Sequence, residues 1–580
     1  MDSRTRRPGK RKAKSGCRTC KIRKVKCDEG RPACERCIST GRVCDGYGIW
    51  GGGGNYYGNR QPQKAPNLNG YSSAIIPRPH APLSLLVTGK EDTGYLEWFT
   101  HRTAPKLPGS FISNFWTTLL FQATLNEPAI LHAVLALSAV HKGGIVKSAD
   151  HQEHITLQHY SKAIKHLRPH FELNDRASSR VALITCVVFV CLELLRGHFS
   201  AAQLHLMSGL KVLQQMEVLS AGEDGTPRVR TSRESTDDWI ISAFSRLRLQ
   251  VELFKYTYQH PSLLSQGPAQ DCLILQSTGP DHLAKDFGSI NDAWQELERL
   301  LNQIFHLTHQ ARQHVAAPIE ALHTPLTLLE SQVCIEIELT QWHHKHELFN
   351  HKARSGDEEK VYRLLQLYHT MATIMAATCL QPDDESIFDV QTPRFRLLLQ
   401  HAGTLYFGTP EPSRGNAAPK LPGQYVNMTN SIVDVGWVAP LYFVAIKCRV
   451  HPIRLRAVRL LEQTFHREGL WDSITAACVA RKVMEVEERG FYEGVDMGDE
   501  AELESEIKEL DLEMETLPQE YRLREVEVLL EGAPMDRILV FCKRRTVGIE
   551  ERVLVSEYDV SLGRWKDEEG GYGGRLLKGS

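Results

Sequence analysis

Six cysteines stand within the first 44 residues of a 580-residue chain, spaced Cys17-x2-Cys20-x6-Cys27-x6-Cys34-x2-Cys37-x6-Cys44. Thiolates are soft ligands that suit tetrahedral zinc, and a two-residue gap lets a pair of cysteines grip one ion from a tight turn. The halves Cys17 to Cys27 and Cys34 to Cys44 repeat one internal spacing and are joined by DEGRPA, which implies a pseudo-symmetric unit. Two ions with four separate ligands each would need eight cysteines, so with six present two sulfurs must bridge. Each ion is then four-coordinate with no open position for water, which argues against a catalytic metal. A zinc ribbon or isolated zinc knuckle, in which the metal merely holds a protein-interaction fold, is the alternative reading.

Positive charge is interleaved with the first three cysteines as Arg18, Lys21, Arg23, Lys24 and Lys26. Residues 1–44 hold fifteen Lys or Arg against four Asp or Glu, a net +11 that leaves −12 for residues 45–580 of a chain whose total is −1. Six thiolates and two divalent ions would lower the head only to +9. A small positive head on an acidic body points to a polyanion as the head's partner, with nucleic acid the natural candidate. Phosphate attraction supplies affinity in such a complex, and contacts to base edges supply specificity. The basic run before Cys17, residues 1–16, is expected to assist phosphate contact and nuclear import.

This arrangement resembles the fungal zinc binuclear cluster family, and the match extends to KIRKVK between the second and third cysteines and to Pro32 before the fourth. The resemblance implies two zinc ions per chain, bridged by the first and fourth cysteines, here Cys17 and Cys34. One ion would take Cys17, Cys20, Cys27 and Cys34, and the other Cys34, Cys37, Cys44 and Cys17. It also implies a short helix after Cys20 whose end enters the major groove at a CGG triplet, with Lys24 bonding the guanines. Arg23 would add a backbone contact, Lys21 and Lys26 would hold phosphates, and Arg18 belongs to the same basic surface. For any one of these residues a solvated surface charge is the plainer reading. The function implied is a sequence-specific regulator of RNA polymerase II transcription in the nucleus, controlling a limited gene set such as one metabolic or secondary-metabolite pathway. Its partners would be double-stranded DNA and transcriptional machinery or co-regulators.

The elements that must carry this head follow from composition and periodicity. At 580 residues the chain exceeds one compact core. The expected division is a basic tail (1–16), the zinc-cluster DNA-binding domain (17–46), a Gly, Asn and Pro-rich flexible linker (47–88), a mainly helical regulatory domain (89–560) and a C-terminal tail (561–580). No sustained heptad follows the cluster, so a homodimer would have to form without a coiled coil there. Helical spacing is readable from Pro128 to Gly143 and near 152–168, 178–196, 200–218, 236–259, 291–314, 318–350, 358–379, 427–449 and 451–465. REVEVLL, RILVFCKR and ERVLVSEYDV alternate and are rich in Val, so the fold class expected is a small zinc-cluster module plus a large all-α domain closed by a small C-terminal antiparallel β-sheet. The segments 95–144, 184–213 and 467–490 resemble the fungal-specific transcription factor regulatory domain. Trp98, Trp116 and Phe189 within them are expected to be core residues rather than cofactor contacts.

A hydrophobic fraction of 42% and a charged fraction of 24% exclude a disordered chain overall. The eight cysteines after Cys44 are scattered singly, and the start MDSRTRRPGKRKAKSG has no apolar core, so a secreted disulfide framework is not expected. The apolar stretch from Val181 to Leu195 reads as a buried helix too short to span a bilayer, so no membrane partner is expected. His343 and His346, one turn apart in WHHKHELFNHK, lack a third ligand at fitting spacing and read as a polar helix face. The Gly51 to Gly54 run lacks the residues of a phosphate loop, and Asn427-Met428-Thr429 is a sequon without a secretory route. The acidic stretch 496–515 suits either recruitment of transcriptional machinery or a solvated segment. No nucleophile, acid–base or cofactor constellation emerges, so an enzyme is not expected. An interaction scaffold that keeps the cluster as a structural module is the alternative function.

Overall fold

The computed structural model describes Cys20, Arg23 and residues 25–28 and 34–40 of the head, then residues 89–566 with breaks, the longer ones at 144–148, 222–226, 230–235, 258–275, 278–285, 316–325, 350–355, 408–430 and 493–515. The linker and the acidic stretch 496–515 lie outside the described residues.

Two hydrophobic cores organise the body. The first is centred on the helix Arg176–Arg196, which begins where the Asp175 carboxylate accepts from the Ser178 amide at 2.7 Å and ends at Gly197, whose φ of 76° closes the helix in the left-handed region. It is long and apolar enough to cross a membrane by composition, but 89% of its apolar window is buried inside the protein, which makes it a core helix. Pro128–Gly143 and Phe199–Gln215 pack on it. Gly209 lets the latter approach closely, because a Cβ there would stand 2.3 Å from the Phe244 ring. Trp116 and Phe189 are buried in this core as expected, and the half-buried Trp98 packs edge-on against His141.

The second core gathers Ile290–Val315, Leu326–Phe349, Gly356–Thr378, Thr392–Phe407, Val438–Lys447, His451–Gln463 and Ser473–Glu488. Trp294, Leu297, Leu301, Ile304 and Ala311 recur at helical spacing and are all buried, which gives Ile290–Val315 its core-facing stripe. Thr236–Thr257 serves both cores, giving Ile240, Phe244 and Leu247 to the first and Leu249 and Leu253 to the second.

Arg524–Gly532, Met535–Thr546, Ile549–Asp559 and Arg564–Lys566 form an antiparallel meander in that order. Ile538, Val540 and Cys542 are buried at alternate positions and join Val526 and Val528 in the second core, so one face of the sheet closes it, while Glu525 and Glu527 are buried in ion pairs with Lys543 and Arg552. A chain of buried charges supports the junction. Arg454, fully buried, reaches Glu487 at 2.6 Å and Glu488 at 3.3 Å; Arg449 reaches Glu487 at 3.1 Å and Glu385 at 3.2 Å; Glu487 accepts from the Leu523 amide at 2.9 Å.

The sequence expectations need adjustment in three places. The expected helix 427–449 is only Val438–Lys447, preceded by the strand Ser431–Ile432, because Glu468 caps it from a distant strand by accepting from the Gly436, Trp437 and Val438 amides. Thr392–Phe407 and Ser473–Glu488 are additional helices. The sheet continues through Arg564–Lys566, past residue 560 where a tail was expected.

Candidate metal centre and nucleic-acid interface

Local chain geometry brings the described cysteines together. Cys34 is the N-cap of the short helix Glu35–Ile38, and its Sγ accepts from the Cys37 amide at 3.3 Å, which folds the x2 pair into a tight turn. Asp28, next to Cys27, reaches across to that helix and accepts from the Glu35 and Arg36 amides at 2.8 and 2.9 Å. A carboxylate at a helix N-terminus is favourable both as a cap and toward the helix dipole, so the first half of the head is latched to the second. Arg23 adds a second latch by donating from Nη1 to Thr40 Oγ1 at 3.2 Å.

The sulfurs of Cys20, Cys27 and Cys34 all lie within 4.8 Å of one another, and among the described residues this is the one group of three such side chains that converges in this way. Cys20 Sγ is 3.7 Å from Cys34 Sγ and 3.9 Å from Cys37 Sγ. A tetrahedral ion with Zn–S bonds of about 2.3 Å sets its ligand sulfurs about 3.8 Å apart. All four sulfur residues are buried, with Val25 packed over them. The donor set, its spacing and its burial therefore fit zinc. The Cys20–Cys37 distance is also a ligand–ligand distance, although the resemblance assigns those two residues to different ions. Cys17 and Cys44 lie outside the described residues, as do Arg18, Lys21 and Lys24. Of the expected DNA contacts, Lys26 is exposed, while Arg23 is half-buried and spends one of its five donors on Thr40.

Cysteines of the body contrast with these. Burial pushes the Cys186, Cys379 and Cys478 thiols up to about 12 and Cys448 up to about 11, so they remain protonated and act as apolar core residues. The histidine pair does not share the one polar helix face that was expected. Exposed His343 reaches Glu347 at 3.3 Å, whereas His346 is buried between Trp342 and Tyr362, with ring centroids 4.7 and 3.9 Å away.

Sequence reasoning missed Asp28 and Thr40. An acidic residue directly after a ligand cysteine was a visible hint of capping, but its partner amides lie seven and eight residues away and nothing local announced the pairing.

Comparison with known proteins agrees with this geometry. Residues 15–49 match the fungal Zn(2)-Cys(6) binuclear cluster domain, and residues 94–418, more than half of the chain, match the fungal specific transcription factor domain. The chain belongs to the fungal Zn(2)-Cys(6) transcription factors: a transcription regulator with a zinc-binding, DNA-binding head and a mainly helical body. Among its relatives, the aspercryptin biosynthesis cluster-specific transcription regulator atnN of Emericella nidulans is 25% identical over 84% of this chain and 89% of its own. The transcription regulator lscL of Purpureocillium lilacinum is 21% identical over 65% of this chain and 90% of its own. The transcriptional regulatory protein moc3 of Schizosaccharomyces pombe is 51% identical over 43 residues, 7% of this chain and 8% of its own. No solved structure matches the chain.

Proposed function

We propose that the head reads CGG-type triplets in the major groove and that the chain thereby regulates RNA polymerase II transcription in the nucleus, acting on a secondary-metabolite pathway. The observation that carries this reading is the converged, buried sulfur cluster with Lys26 exposed beside it. The relative named as a cluster-specific biosynthesis regulator, which aligns over most of both chains, supports the pathway assignment. Two zinc ions are held by Cys17, Cys20, Cys27, Cys34, Cys37 and Cys44, with Cys17 and Cys34 shared; the metal supplies the cross-links of a unit too small to bury a core. Lys24 contacts the guanines, Arg23 beside it adds a backbone contact, Lys21 and Lys26 neutralise phosphates, and Arg18 belongs to the same basic surface. The body connects DNA binding to the transcriptional machinery and co-regulators. No chemistry is assigned to the metal, since four thiolates per ion leave no position for a substrate.

The test is binding of the full chain to a CGG-containing duplex and to a scrambled duplex at near-physiological salt. A specific reader binds the first at least about a thousandfold more tightly. Equal affinity contradicts the proposal and favours the scaffold reading. Lys24→Ala should narrow the gap by roughly 1–3 kcal/mol, whereas Lys21→Ala or Lys26→Ala should weaken both duplexes alike and reduce the salt slope by about one.

A further inference from the structure

Where the two helical cores meet the C-terminal sheet, the body forms a cavity of about 400 Å³ that opens to solvent. Phe199 and Leu206 line it from one helix, Val251 and Phe254 from a second, and Val528 and Leu530 from the first strand of the sheet. A mainly apolar pocket that opens to solvent holds water that an apolar ligand can displace with gain. Its volume lies in the range of small-molecule sites, about 300–1,000 Å³.

The polar groups around it are few and placed at defined points. Arg524–Gly532 is an edge strand with one sheet neighbour, so half of its backbone N–H and C=O groups face away from the sheet, and residues 528–532 line the cavity. Ser200 and Gln203 line the space from the helix Phe199–Gln215, whereas the lining Gln250 has both ends of its amide occupied, donating to the Val433 carbonyl and accepting from the Leu470 amide at 3.2 Å. The charged lining residues gather at one edge, where Arg537 meets Glu531 at 2.8 Å and Asp536 at 3.7 Å, two carboxylates against one guanidinium. The turn carrying these residues is tied to the first core, since the Met535 amide donates to the Gly197 carbonyl at 3.2 Å.

We propose that this cavity binds an uncharged, mainly apolar small molecule bearing an amide- or hydroxyl-type hydrogen-bonding group, and that binding holds the 529–537 turn against the helix Phe199–Gln215. An anionic ligand would meet the excess carboxylate at that edge, and a ligand of either sign would then lie against apolar walls, which is costly. An uncharged one with a donor or acceptor can use the strand edge and Gln203 while its apolar part replaces water. The site is independent of which DNA sequence the head reads.

The full chain is titrated with N-phenyl-1-naphthylamine, an uncharged apolar dye with one N–H donor. A saturable, one-to-one rise in its fluorescence is expected. Gln203→Trp and Leu530→Trp fill the cavity from the helix and from the sheet and should each weaken binding about tenfold or more. Gln214→Trp, exposed near the end of the same helix, should leave it unchanged. The dye should slow hydrogen exchange in both 199–206 and 528–537. Should one filling variant lose its helical signal, the other still decides. Absence of saturable binding, wild-type affinity in a folded filling variant, or protection confined to other segments overturns the proposal.

Discussion

The head and the body reach buried cysteines by opposite routes. In the head, residues from both halves turn four sulfurs toward one another, and the capping bonds from Asp28 and Cys34 serve that convergence. In the body, Cys186, Cys191, Cys379 and Cys448 stand singly, and burial pushes their thiols upward. The same residue type is a ligand in one region and a small hydrophobe in the other, and the decisive difference is whether the chain brings a second sulfur within about 4 Å. The stability of the head is therefore linked to metal, while that of the body is distributed over two cores and a buried charge network.

The largest expected break in that contrast is Cys34→Ser. Structural zinc contributes about 10–16 kcal/mol to small domains of this kind, so losing the ligand proposed to be shared should abolish DNA binding in an anisotropy titration. The far-UV helical signal and melting temperature of the body should not move.

Arg454→Met tests the body from its interior. It leaves the buried Glu487 and Glu488 without one of their cations, and the expected loss is about 3–5 kcal/mol in denaturant unfolding. The zinc content of the head should be unchanged.

How much of this was legible in the sequence differs between the regions for the same physical reason. The ligand set of the head is written in local spacing, and so are helices such as Pro128–Gly143, with Pro at its start and Gly at its end. The sheet strands announced themselves through alternating Val and charge. Through-space pairings were not legible: Glu468 shortens the helix at Val438 from 30 residues away, and the cavity needs residues near 200, 250 and 530 at once. The spacing near 451–465 announces the helix His451–Gln463 but not that Arg454 on it is fully buried, because its carboxylate partners come from Ser473–Glu488. Thr392–Phe407 was missed because TPRFR opens with a proline and two arginines, which mask the buried Phe395, Leu398 and Leu399.

Gly209→Ala sharpens the packing side of the comparison with a smaller effect. The added methyl meets the Phe244 ring, and overpacking of this kind costs about 1–3 kcal/mol. Thermal melts should shift downward with no change in affinity for DNA.

Acid should loosen the body through its histidines. Burial, reinforced by the neighbouring His159 and His166, pushes His132 down to about 4 from an ordinary 6.5, and burial pushes His369 and His401 to about 4 as well. Such groups fold in the neutral form, so their contribution is complete above about pH 6.5 and is lost as pH falls toward 4. The melting temperature of the body should be level above pH 7 and drop across that window, and His132→Gln should flatten part of the drop.

The central claim is that six thiolates hold two zinc ions that fold the DNA-reading head and leave the body untouched. Native mass spectrometry of the full chain during stepwise chelation, with DNA binding and far-UV circular dichroism followed in parallel, tests it most directly. The account predicts two zinc ions per chain, loss of DNA binding as they leave, and a helical signal that persists. One ion per chain, or a helical signal that collapses with the metal, would contradict it.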